Sequence, residues 1–232
     1  MTSSTSGQSP DPGNDPGFGG FDAQEMVIVH RALRREIRLL GEMIAAVAPG
    51  DVKRSAVLAE HFADIRTGLI NHHEGEDHLL WPPMLSRVGL EREVVLRMEA
   101  QHERVAETLA AADALVTRWA PTADAEIRDR AVAAIGEHYT VLVEHLGDEE
   151  AHLLPLAERF LTAKEWGALG EHFVMNTPKT KLLKFFGMVM EEADERDRAI
   201  LLGGMPPPVR LVWRVLGPPL YARTVRRIRA TA

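Results

Sequence analysis

The chain has 232 residues, enough for one domain of ordinary size with appendages, and 45% of them are hydrophobic, enough to build a core. It has no cysteine, which excludes disulfides, thiolate ligands, iron–sulfur clusters and cysteine nucleophiles, so any metal must be held by imidazole and carboxylate. A net charge of −7 argues against nucleic acid as the main partner, and the sequence shows neither a membrane-spanning run nor a signal-peptide pattern, so cytoplasmic residence is expected.

Residues 1–20 are mostly Ser, Gly, Pro, Asp and Asn and read as a disordered tail. Four long helical patterns follow. The first runs from about Asp22 to Val47, with Ile28, Leu33, Ile37, Leu40 and Ile44 on one stripe, and stops at Pro49-Gly50. The second is capped by Asp51 and runs to about Arg87, kinked or interrupted by Pro82-Pro83. The third spans about Leu90 to Trp119, and the fourth about Asp124 to Phe160, with Pro155 near its end. Nothing alternates at the strand period. The expectation is an all-α fold, an up-down-up-down four-helix bundle over residues 21–162.

Residues 163–232 read as a helical C-terminal extension, in one or two pieces around Pro178 and then a stretch from Val209 to Ala232. That last stretch carries six arginines and no acid. A tail folded onto the acidic bundle is the preferred reading of it. Peripheral contact with a membrane or a protein partner comes second, because Gly217-Pro218-Pro219 breaks any long amphipathic helix there.

The sequence holds two copies of His-x-x-x-Glu, His72–Glu76 and His145–Glu149. Their tails match, Leu79-Leu80-Trp81-Pro82 against Leu153-Leu154-Pro155. A lone histidine precedes each pair by almost the same interval, His30 before the first and His102 before the second. Residues i and i+4 of a helix share a face, so each pair can reach one metal position. At about 1.5 Å per residue, the distances from each histidine to its helix ends bring all four helices' ligands to one layer. The candidate metal ligands are therefore His30, His72, Glu76, His102, His145 and Glu149. Each of two metals would take two histidines, with the glutamates bridging. Imidazole with carboxylate suits iron, manganese or zinc, and carboxylate bridging favours a redox pair, hence two iron ions, oxo- or carboxylate-bridged. Open positions would suit a diatomic or peroxide ligand.

Other residues carry less. His73 lies about 100° around the helix from His72 and reads as a surface or interhelix residue, although His73–Asp77 is also an i,i+4 pair. His78 reads in the same way. His138 and His152, lying two helical turns either side of His145, are candidates to orient a ligand or are ordinary packing histidines. Tyr139 reads as packing. Gly68, one turn before His72, marks either a ligand space or a close helix contact. A ferritin-like arrangement of Glu99-x-x-His102 and Glu149-x-x-His152 puts its motifs on consecutive helices, the wrong order, and leaves His30, His72 and His145 unexplained.

On these six residues and the two proline tails, the chain resembles the hemerythrin-like (HHE cation-binding) family over about residues 22–160. The resemblance implies a four-helix bundle around a non-haem di-iron centre. Oxygen-carrying members have two histidines on the third helix at i and i+4. Here Met98 and Ala106 flank His102 at those positions, which implies a missing nitrogen ligand. That is similar to the branch of iron-centre repair proteins and actinobacterial hemerythrin-like proteins, linked with nitric oxide and peroxide chemistry.

The leading expectation is a di-iron oxidoreductase acting on peroxide, nitric oxide or dioxygen. The alternatives are a reversible oxygen or nitric oxide carrier, an iron donor or sensor, and a structural bundle with a zinc or vestigial site. No nucleotide or flavin motif appears, so an electron donor must be another protein or a small molecule.

Overall fold

In the computed structural model, which describes residues 17–230, α1 (Gln24–Ala45) buries the stripe expected of it: Ile28, Leu33, Ile37, Leu40 and Ile44. The chain then reverses at Gly50, whose φ of +80° is a left-handed conformation that glycine adopts without strain. The Asp51 carboxylate accepts a hydrogen bond from the Arg54 N–H at 3.0 Å and starts α2 (Val52–Leu79). Leu80 breaks this helix, and α3 (Trp81–Arg87) follows, opened by the two prolines that cannot donate to the preceding turn. After a short turn come α4 (Arg92–Trp119) and α5 (Ala125–Asp148), the latter capped by Asp124 accepting from the Ile127 N–H at 2.9 Å.

The fourth pattern is not one α-helix. Residues Glu149–Leu153 form a wide π-helical turn, in which the Leu154 N–H donates to the Glu149 carbonyl, before α6 (Leu154–Phe160) resumes. Proline at 155 removes one α-type donor from this turn. Such insertions are frequent at functional sites because they re-aim the side chains they carry.

Each of α1, α2, α4 and α5 packs on two of the others, around the ring α1–α2–α4–α5. The α1–α2 and α4–α5 turns meet at one end. There the Gly50 N–H donates to the Ala123 carbonyl (3.1 Å), the Ser55 hydroxyl to Ala120 (2.6 Å) and Arg128 to the Val47 carbonyl (2.8 Å). This is the up-down-up-down order. Two apolar clusters fill the bundle. One, toward those turns, includes Leu33, Leu69, Val105 and Leu142; the other, at the far end, includes Met26, Leu80, Met98 and Leu153. α1 and α4 pass from one cluster to the other, α2 and α5 reach the far one through Leu80 and the π-helical turn that follow them, and between the clusters lies a polar layer.

Most of the predicted tail, from Met1 to Pro16, lies outside the described residues. Its last residues are seated on the bundle, the Gly19 N–H donating to the Leu161 carbonyl at 2.8 Å. Beyond the bundle, α7 (Ala163–Asn176) starts in a capping box of Thr162 and Glu165, and α8 (Lys179–Glu192) follows Pro178, the break expected there. The helix α9 (Glu195–Gly203) leads to α10 (Pro207–Arg229). Helix α7 lies along α2, and α8 packs on α1 and α10. Gly68 marks a close helix contact: a methyl group there would stand 2.6 Å from the Phe185 ring of α8.

α10 corrects the sequence reading. It runs through Gly217-Pro218-Pro219 without a break, with both prolines on its exposed face, where water can reach the carbonyls that lose their donors. Gly217 accepts the Trp213 ring against its bare backbone, and Trp213 meets Phe186 edge-on at 4.6 Å. The last turns are folded onto acids of the bundle and of α8: Arg227 pairs with Glu60 (2.6 Å), and Arg229 with Glu191 of α8 (2.6 Å) and with Glu36 (3.0 Å). The fold is an all-α helical bundle with C-terminal helices beyond its core. Among the described residues no helix is long and apolar enough to cross a membrane.

Candidate metal centre

The polar layer is built by one or two turns of each bundle helix. His30 comes from α1, between Met26 and Leu33 of the two apolar clusters. His72, His73 and Glu76 come from α2, His102 from α4, His145 from α5, and Glu149 from the first residue of the π-helical turn. Glu76 and Glu149 are fully buried, as is His30, and the other histidines are nearly so.

The structure brings all six sequence candidates into this layer and adds a seventh, His73. Their donor atoms fall into two groups, each within a 4.8 Å span: His30, His72, Glu76 and Glu149 in one, and His73, His102 and His145 in the other. The expected two-plus-two division of histidines is therefore two-plus-three. His73 is not a surface residue. It is 8% exposed, its ring stacks on that of His102 at 4.2 Å, and it meets His145 edge-on at 5.1 Å. On α4 His102 is the one member of the second group, with Met98 in the core and Ala106 exposed, and α2 brings His73 to that group.

The reason is angular. At about 100° per residue, His72 and His73 flank the inner face of α2, and Glu76 falls about 40° from His72, between them. His72 looks toward α1, its ring 5.2 Å from that of His30, while His73 looks toward α4 and α5. Glu76 aims one oxygen at each half: Oε1 stands 3.4 Å from His72 Nε2, and Oε2 stands 3.4 Å from His102 Nε2. Glu149 Oε2 lies 3.5 Å from His30 Nε2 and 3.7 Å from His145 Nε2.

Nine buried atoms converge here without a hydrogen-bond partner: Nε2 of His30, His72, His73, His102 and His145, and both oxygens of Glu76 and Glu149. An unpaired buried polar atom costs roughly 1–3 kcal/mol, and a fold does not gather nine by accident. The electrostatics agree. Burial pushes the Glu76 carboxyl well above 4.5, helped by Glu149 and Asp77, and burial raises Glu149 too. Burial also drives His72 and His73 well below 6.5, helped by the neighbouring imidazoles, and brings His145 down to about 2. Neutral imidazoles offering lone pairs, and carboxyls short of positive charge, form a donor set that fits cations. The two clusters can coordinate metal ions.

An outer ring holds three imidazoles with Nε2 inward. His102 Nδ1 bonds Asp77 (2.7 Å), which also accepts from the Trp81 indole N–H (2.8 Å). His30 Nδ1 bonds Glu150 (3.0 Å), itself held by Arg34 (2.7 Å). His145 Nδ1 faces the Gln101 side-chain oxygen at 3.2 Å, and Gln101 donates to Asp148 at 2.9 Å. Asp77 thus supports His102 and does not pair with His73. Of the residues considered for such a role from sequence, His138 is buried but bonds Thr108 (3.0 Å), and His152 is exposed and pairs with Asp148 (2.8 Å). Neither touches the two groups. His78 is exposed as expected, and Tyr139 packs on the core.

No curated protein and no solved structure matches this sequence. The family described as hemerythrin, "Hemerythrin HHE cation binding domain", matches residues 23–157, from the start of α1 into α6, and so takes in every residue of both donor groups. A match over more than half of the chain, on the helices that bring these donors together, places the protein in the hemerythrin HHE cation-binding family.

Proposed function

We propose that the chain is a non-haem di-iron protein that handles a small oxidant (peroxide, nitric oxide or dioxygen), with His30 and His72 holding one iron, His73, His102 and His145 the other, and Glu76 and Glu149 lying between them. The observation that carries this reading is the convergence of nine buried, unpaired donor atoms, with the Glu76 oxygens divided between the two halves. Bound iron would supply redox-active, Lewis-acidic positions for the oxidant. The half with two imidazoles has one nitrogen fewer, so exogenous ligand is expected there.

The chain's own residues do the rest. The flanking apolar clusters keep bulk water from the layer. Asp77, Glu150 and Gln101 fix the tautomers and aim of three imidazoles. Asp77 and Glu150 are also partly exposed, so they link His102 and His30 to solvent for proton exchange. Asp77→Asn is expected to weaken metal binding about 10–100-fold while leaving the helix content unchanged; competition with a chromogenic chelator measures it. Electrons would come from a separate donor protein or small molecule.

Metal analysis with the ultraviolet–visible spectrum tests the proposal. Two irons per chain with near-ultraviolet bands of a bridged di-iron centre, consuming peroxide or reacting with nitric oxide, support it. Zinc, or no metal and no chromophore, overturns it. His73 favours a second reading, because it supplies the nitrogen whose apparent lack pointed away from oxygen carriage. Reversible spectral change with dioxygen and no turnover would select carriage.

A further inference from the structure

The first half of α10 presents a surface that the metal centre does not explain. Its inner side packs on α8, where Trp213 lies over Gly217 and meets Phe186 edge-on. Its outer side exposes Val209, Leu211, Val212, Val215, Leu216 and Leu220, each 46–63% accessible, together with Pro218 and Pro219. The six apolar side chains leave about 500 Å² of hydrocarbon in water, near the top of the ~300–600 Å² typical of the largest patch on a soluble protein. The basic residues lie with them. On a helical wheel Arg223 and Arg226 continue the same outer face one to two turns on, and Arg214 borders it. All three are exposed, and none has an acidic partner among the described residues. The nearby acids Glu60 and Glu191 are already engaged by Arg227 and Arg229.

We infer that α10 docks the protein flat on an anionic phospholipid surface, with the stripe from Val209 to Leu220 seated among the acyl chains and Arg214, Arg223 and Arg226 at the phosphates. Two observations choose this occupant. The charge is of one sign: α10 has no acid, and Arg214, Arg223 and Arg226 stand exposed on or beside the apolar face without an acidic partner among the described residues. A second copy on the same face would oppose arginine with arginine. On a lipid surface, apolar burial and phosphate attraction act together. The uninterrupted helix through Pro218-Pro219 lets both blocks act on one plane.

Vesicle sedimentation of the full chain tests this. Phosphatidylcholine vesicles are compared with vesicles containing about one-third phosphatidylglycerol, at low and at physiological ionic strength. Selective pelleting with the anionic vesicles, weakened by salt, is expected. Arg214→Ser/Arg223→Ser/Arg226→Ser should lower the partition coefficient about a hundredfold, since each arginine near such a surface is worth about fivefold. Leu211→Glu/Val215→Glu should lower it at least tenfold. Both variants alter exposed positions, and unchanged circular dichroism and melting temperature verify that they fold. No pelleting, equal pelleting with both vesicle types, or binding untouched by either variant overturns the inference. So does a dimer in sedimentation equilibrium that the Leu211→Glu/Val215→Glu variant makes monomeric, because the occupant would then be a second copy.

Discussion

His73→Ala is expected to cut the metal content from two ions per chain to about one. The half that holds His73 would be left with His102, His145 and a shared carboxylate. Loss of a directly facing imidazole should exceed the ~10–100-fold that loss of an outer partner costs in affinity. The other half keeps His30, His72 and both glutamates, so it should retain its ion. His78→Ala, on the same helix but exposed, should keep both ions. The two variants therefore separate the three-plus-two arrangement from the two-plus-two arrangement read from the motifs. Full metal content and an unaltered spectrum in His73→Ala would restore the latter and leave His73 a packing residue.

The contrast between these neighbours shows what the sequence made legible. The apolar stripe of α1, the Asp51 and Asp124 caps and the proline stops are local signals, and they define the bundle helices to within a few residues. The shared depth of the candidate ligands follows from the constant rise per residue of an α-helix, and all six meet in one layer. His73 was missed because an i,i+4 rule describes one line along a helix, while a four-helix bundle exposes an arc of about 100° of each helix to its axis. A signal was present: a glutamate able to face two metals calls for donors on both its flanks, and His73 lies on the far side of Glu76 from His72. The outer ring was also hidden, because Asp77 and Gln101 act across helices and no spacing within one helix encodes them. The π-helical turn was not legible either. A proline at 155 says only that an α-helical hydrogen bond is missing, not that the chain widens rather than kinks. At the C-terminus, Gly217-Pro218-Pro219 reads as a break because the sequence does not encode which side of the helix faces solvent.

Removing the metal is expected to lower the melting temperature by about 15–30 °C at pH 7.5, with the gap closing as the pH falls. The magnitude follows from two ions, each present at about a thousand times its dissociation constant, which together stabilise by about 8 kcal/mol. A chain of this size moves about 2–4 °C per kcal/mol. The pH dependence follows from the buried donors. Glu76 and Glu149 have folded-state values raised above 4.5, so without a cation their contribution is fully present below pH 4.5 and is lost as pH rises toward those values. The histidines act in the opposite direction. His72, His73 and His145 are held below 6.5 in the fold, so stability is lost as pH falls from 6.5 toward their folded values. The metal-free bundle is therefore opposed on both sides of neutrality. Cations favour ionised carboxyls and take the imidazole lone pairs, so they relieve the carboxyl cost at pH 7.5. Below about pH 6.5 protons compete for the same nitrogens, and metal affinity falls. Differential scanning calorimetry of loaded and chelator-stripped protein from pH 5 to 7.5 measures both trends. A gap that is negligible throughout, or constant across that range, would mean that these nine atoms do not act together as a metal-binding set.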